Sequence, residues 1–128
     1  CTAACGSVTC GEGERCYGGS IFKSAEHSQR LIDSGRILGF EVPYSVAELD
    51  AAKAAVVAKM GFKDAYVRPV AWRGSEQMGV SAQQSRINVA IAVWEWGAYL
   101  GEEGKARGVR AKVSSWRRIG PQSARRLA

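Results

Sequence analysis

Asp64–Trp72 reads DAYVRPVAW, a run of β-branched, aromatic and small residues that predicts a strand. Two later segments read the same way, Ile87–Trp96 (INVAIAVWEW) and Val109–Trp116 (VRAKVSSW). Between the first two lies Arg73–Arg86, RGSEQMGVSAQQSR, which has neither the strand period nor the helix period; loops of that length in a compact domain are usually functional or disordered. Upstream of Asp64 the period lengthens. Pro43 stops a turn, Ser45-Val46-Ala47-Glu48 has capping-box spacing, and Val46, Leu49, Ala52, Val56 and Met60 recur at three- and four-residue intervals until Gly61, so a helix is expected with that stripe facing a core. An earlier helix is expected from Ser24 as N-cap to about Leu38, ended by Gly39. Leu31 and Leu38 share its apolar face with Ile37 beside them, and Arg30, Asp33 and Arg36 lie opposite. Before it, Glu14–Phe22 (ERCYGGSIF) predicts a hairpin turning on Gly18-Gly19. The fold class expected is α+β, with two helices packed on one side of a largely antiparallel sheet.

At 128 residues, 46% hydrophobic and 23% charged, the chain has the size and balance of one globular domain with one core. It needs neither disulfides nor a metal for stability. Its four cysteines, Cys1, Cys5, Cys10 and Cys16, crowd one end, where any bridge would close only a short loop. None forms a C-x-x-C pair and His27 is the sole histidine, so free thiols in a poorly specified segment are expected, and no metal. The opening CTAACGSVTCGEGER lacks the basic head and apolar stretch of a signal peptide, and no window has the length of a membrane span; a cytoplasmic location is expected. Net charge is +6, and from Lys105 onward there are basic residues but no acid. A basic run without interleaved aromatics predicts solvated surface rather than a nucleic-acid arm.

No P-loop, nucleophile elbow, zinc-protease or dinucleotide motif occurs. His27 is expected to be a helix residue bonded to its neighbours. Arg68 stands in mid-strand before Pro69, and such a cation calls for an anion: an acid such as Asp64 or Glu95, or a substrate carboxylate. Trp94, Trp96 and Tyr99 gather around Gly97, either capping a core or lining a pocket.

Read together, AYVRP (Ala65–Pro69), MGV (Met78–Val80), WEWGAYLG (Trp94–Gly101) and VSSWRR (Val113–Arg118) resemble the branched-chain amino acid aminotransferases, fold-type IV enzymes dependent on pyridoxal phosphate. EGER (Glu12–Arg15) and EHSQRL (Glu26–Leu31) extend the resemblance from Glu12 to Pro121, the family's smaller, N-terminal domain. W-G-A-Y followed by S-S-W points to this group; the alternatives are another enzyme of the same fold type, a D-amino acid aminotransferase or aminodeoxychorismate lyase, against which W-G-A-Y argues, and a non-catalytic basic binding module. The resemblance implies a transaminase working between leucine, isoleucine or valine and 2-oxoglutarate, as a homo-oligomer. It implies Arg30 at the cofactor phosphate, Tyr66 near the substrate α-carboxylate, and Arg68 suited to the side-chain carboxylate of glutamate. Trp96 and Tyr99 would form an apolar wall, and Val80 would reach across a dimer into the partner's site.

The resemblance fades at both ends. The family's Y-G-S-x-V-F lead-in is replaced by Cys5-Gly6-Ser7-Val8-Thr9-Cys10-Gly11, with Gly11 where a phenylalanine is expected, and after Pro121 comes QSARRLA in place of the segment holding the cofactor lysine. The domain limits expected are therefore 1–11 as an atypical lead-in, 12–121 as the small domain and 122–128 as an atypical tail. A fragment without a catalytic residue of its own is expected, with ends of the kind a shifted reading frame in G/C-rich DNA would produce.

Overall fold

The computed structural model describes residues 8–76, 83–97 and 101–117. Strands β1 (Thr9–Gly11), β2 (Glu14–Tyr17) and β3 (Ser20–Ile21) precede helices α1 (Ser24–Ile37) and α2 (Val46–Met60). Strands β4 (Ala65–Arg73) and β5 (Ile87–Trp94) follow, then a short helix α3 (Gly101–Arg107). All pairings are antiparallel. This is the α+β architecture expected, with α1 and α2 on one face of the sheet.

β4 is the central strand, and DAYVRPVAW accounts for that position. Ala65, Val67, Pro69 and Ala71 lie buried toward the helices, while Tyr66, Arg68, Val70 and Trp72 take the other face. One edge of β4 carries β5, from Tyr66 opposite Trp94 to Arg73 opposite Ile87. The other edge carries β1 and β2 in one register, with Gly11 opposite Val70 and Glu14 opposite Val67. Glu12 and Gly13 interrupt that line opposite Pro69 and Arg68. Proline has no N–H to return, so only the Glu12 N–H bonds to the Pro69 carbonyl, at 3.0 Å. The hairpin turns on Gly18 and Gly19, both at positive φ as a two-residue turn requires.

Two apolar clusters make the core. Cys10, Leu31, Ile32, Phe40, Val42, Leu49 and Ala71 form one, and Cys16, Val57, Ala65 and Val67 the other. Cys10 and Cys16 are thus free thiols inside the core, not in a poorly specified segment. Thr9–Gly11, within the stretch set apart as 1–11, is a strand of the sheet.

Several local expectations change. Ser24 does not cap α1; Lys23 holds that place at φ 52°, and the Ser24 hydroxyl donates to Asp50 instead, at 2.8 Å. The α2 capping box forms as expected. Its buried stripe, however, is Leu49, Lys53 and Val57, with Ala52 and Met60 exposed. A lysine takes the middle of the stripe because Glu14 meets it from β2 and Asp50 from its own helix. The strand expected over 109–116 is absent: 108–117 is irregular, Val113 and Trp116 are exposed, and among the described residues no strand pairs with this segment. Helix α3 has no counterpart among the expected elements.

Candidate functional site

Even-numbered residues from Cys10 to Cys16 all face the helices, which places two carboxylates, Glu12 and Glu14, inside the molecule between the apolar clusters. Each is met by cations. Glu14 and Lys53 are both fully buried, with Lys53 Nζ at 2.8 and 3.1 Å from the carboxylate oxygens and 3.0 Å from the Ser24 carbonyl. Asp50 closes the group, accepting from the Ser28 hydroxyl at 2.6 Å and lying 3.2 Å from Lys53. Burial pushes the Glu14 carboxyl above its ordinary range, and the bond from Lys53 offsets this only in part.

Glu12 is 4% exposed and receives two side chains from α1. Arg30 donates Nε at 3.0 Å to both carboxylate oxygens and Nη2 to one of them, and His27 Nδ1 lies 2.8 Å from the same oxygen. Desolvation alone would raise the Glu12 carboxyl, but the bonds from Arg30 and His27 outweigh it and hold the group below its ordinary range. The hydrogen bonds to Glu12 and its charge in turn hold the Arg30 guanidinium more firmly protonated. The spacing of EHSQRL explains the arrangement, since positions three apart share a helix face and reach one strand residue together.

On the opposite face of the sheet Tyr66 is the hub. Its ring lies 5.0 Å from Trp94 and 4.7 Å, edge-on, from Trp96. Its hydroxyl accepts from Arg68 Nη1 at 3.3 Å and sits where a Cβ on residue 13 would be, which accounts for Gly13. Arg15 donates to the Trp96 carbonyl at 2.8 Å, tying the chain beyond β5 to β2. Among the described residues Arg68 makes no ion pair, so the Asp64 and Glu95 partnerships do not occur.

Tyr66, Arg68 and Trp96 therefore come together, and Arg30 does not join them: it is bound to Glu12 on the helix side of the strand line, while Arg68 is bound to Tyr66 on the other. Val80 and Tyr99 lie outside the described residues. The aromatic group sits on an open face, with Trp94 37% exposed, so Trp94 and Trp96 do not cap the core beneath the helices. His27 bonds to Glu12 as well as lying 3.3 Å from its helix neighbour Arg30. Sequence reasoning missed Glu12, Gly13 and Arg15 as individual contributors, although EGER contains all three. Among the described residues there is no cluster able to hold a metal, and no helix long and apolar enough to cross a membrane.

The chain is similar to proteins of known family. The sequence profile of a family described as amino-transferase class IV matches residues 9–128. The branched-chain-amino-acid aminotransferase of Pseudomonas aeruginosa is 40% identical over 111 residues, which cover 84% of this chain and 36% of that protein. The crystal structure of the Escherichia coli branched-chain amino acid aminotransferase superposes with a TM-score of 0.79 at 41% identity, covering 88% of this chain and 39% of that one. The T.th. branched-chain amino acid aminotransferase solved with pyridoxamine 5′-phosphate superposes at 0.67 and 39% identity, covering 74% and 33%. The chain thus spans less than two fifths of the length of each of these relatives.

Proposed function

The chain belongs to the class IV amino-transferase family, and from that premise we propose that it supplies the small-domain half of a branched-chain amino acid transaminase site. The observation that carries the reading is the group on the open sheet face, where an aromatic wall (Tyr66, Trp94, Trp96) stands beside the cation of Arg68. A pocket with an apolar wall and a cation at its edge accepts a leucine, isoleucine or valine side chain in one half-reaction and the second carboxylate of 2-oxoglutarate in the other. Tyr66 is oriented for the substrate α-carboxylate by Gly13 and Arg68. Tyr99 extends the wall, and Val80 serves the site of a second subunit in a homo-oligomer. The complete protein works in the cytoplasm.

Pyridoxal phosphate is the cofactor this family implies, and the structure offers a test of fit. Arg30 is about half exposed, and its Nη1 has no partner among the described residues. A planar cation with one free edge suits a phosphate. The cofactor, when bound, acts as the electron sink for amino transfer. This chain's own part is to hold the phosphate through Arg30 and to shape the substrate side through Tyr66, Arg68 and Trp96. We place the small domain from Thr9, where β1 begins, to Pro121.

By itself the chain is expected to be inert. After incubation with pyridoxal phosphate and gel filtration, no visible absorbance of bound cofactor should remain and leucine with 2-oxoglutarate should yield no glutamate. Retained colour with turnover would overturn that inertness. Mixing with the larger domain of a relative such as the E. coli enzyme should restore turnover of leucine, isoleucine and valine; restored activity confined to D-amino acids would sink the substrate assignment.

A further inference from the structure

We propose that Glu12 is a positioning residue for the cofactor phosphate: it grips Arg30 edge-on, so that Nη1 points away from the protein toward the anion. The inference rests on the reading of Arg30 given above. An arginine on an exposed helix face samples many rotamers, and ordering it at the moment of binding weakens the complex. Here the ordering exists beforehand. Nε and Nη2 both lie on the Glu12 carboxylate, and His27 fixes one oxygen of that carboxylate from the same helix. Glu12 is itself buried, at 4% exposure, on the sheet with its N–H bonded to the Pro69 carbonyl. The guanidinium is thereby bound along one edge and open along the other. A second anion in the guanidinium plane meets the outer edge, where one N–H of Nη1 and the outward N–H of Nη2 lie side by side, as in the bidentate pairs arginine forms with phosphate.

Simple charge counting predicts the opposite sign. A carboxylate beside the phosphate-binding arginine cancels its charge, so removing that negative charge should tighten anion binding. Positioning predicts that removal weakens it, because glutamine offers one acceptor where the carboxylate offers two and Arg30 is released. The two accounts are separable by titrating the whole 128-residue chain with inorganic phosphate and then with pyridoxal phosphate. The Arg30 Nε–H resonance gives the readout.

In the unaltered chain that resonance should be protected from solvent exchange before any phosphate is added, and should shift saturably during the titration. Glu12→Gln should abolish the protection and weaken phosphate binding about tenfold, the equivalent of one charge-assisted hydrogen bond. Arg30→Ala should abolish binding. Unchanged or tighter binding by Glu12→Gln, with Arg30→Ala still inactive in binding, overturns the positioning role and leaves Arg30 as the phosphate residue. Unchanged binding by Arg30→Ala, or no saturable binding by the unaltered chain, overturns both. Should Glu12→Gln fail to fold, an unprotected, mobile Arg30 Nε–H in the unaltered free chain is enough to overturn the proposal.

Discussion

Lys53 and Glu14 make each other's burial tolerable, with Asp50 as a second carboxylate beside the lysine. Each is fully buried, so Glu14 without Lys53 would be a buried charge with no cation on it, and Lys53 without Glu14 would keep only Asp50. Lys53→Ala or Glu14→Ala alone should therefore cost about 3–5 kcal/mol in urea unfolding, whereas replacing both by methionine should be neutral or stabilising. A single variant as stable as the parent would refute the pairing. The two strand glutamates also respond to pH in opposite senses. Glu12 has a folded-state pKa below the ordinary value of 4.5, so its contribution is present above that value and disappears as pH falls through the lower one. Glu14 has a raised folded-state pKa, so its contribution is present below 4.5 and is lost as pH rises toward the higher value. In unfolding free energy measured against pH, Glu12→Gln should flatten the acid limb below 4.5. Glu14→Gln should remove the decline above it, on a lower curve because Lys53 has lost its partner. Nothing in ERCY or in the α2 stripe marks these two as a pair, since the residues stand 39 apart and each alone resembles surface. Arg68 was legible as an oddity in its strand, yet its choice between acid and ligand needed the three-dimensional neighbourhood.

At the scale of elements, α2 illustrates what local chemistry decides. Ser45 and Glu48 exchange side-chain and backbone bonds as their spacing requires, and Gly61 closes the helix at φ 70°. Ser45→Ala should destabilise the fold by about 1 kcal/mol, measured as a lower urea midpoint with unchanged slope. A changed slope would mean that the cap does more than end a helix. The hairpin at Gly18-Gly19 and strands β4 and β5 were equally legible, because turn glycines and β-branched runs act locally. Residues 109–116 read as a strand too, and no strand forms there. A strand exists only where a neighbour accepts its hydrogen bonds, and that condition lies outside the segment. Ser24 fails as a cap for a related reason: Asp50, from another helix, takes its hydroxyl.

For the molecule as a whole, the sheet has one face under α1 and α2 and another bearing Tyr66, Val70, Trp72 and Trp94, against which neither of those helices packs. Apolar surface extends to Tyr17, 56% exposed, and the irregular 108–117 adds Val113 and Trp116. The chain should bind an apolar fluorescent dye and associate as its concentration rises in sedimentation experiments. A monomer that ignores the dye would show that this face is not the apolar surface described. The sequence by itself determined the helices, the turns, the central strand and the family signatures, because periodicity, caps and turn residues act over a few neighbours. Only the tertiary structure decided that two glutamates enter the core, that Glu12 grips Arg30, and that Tyr66 is lodged between Gly13 and Arg68. Those outcomes depend on which strand lies beside which, and on how a proline opposite Glu12 breaks the ladder, relations that no stretch of neighbouring residues contains.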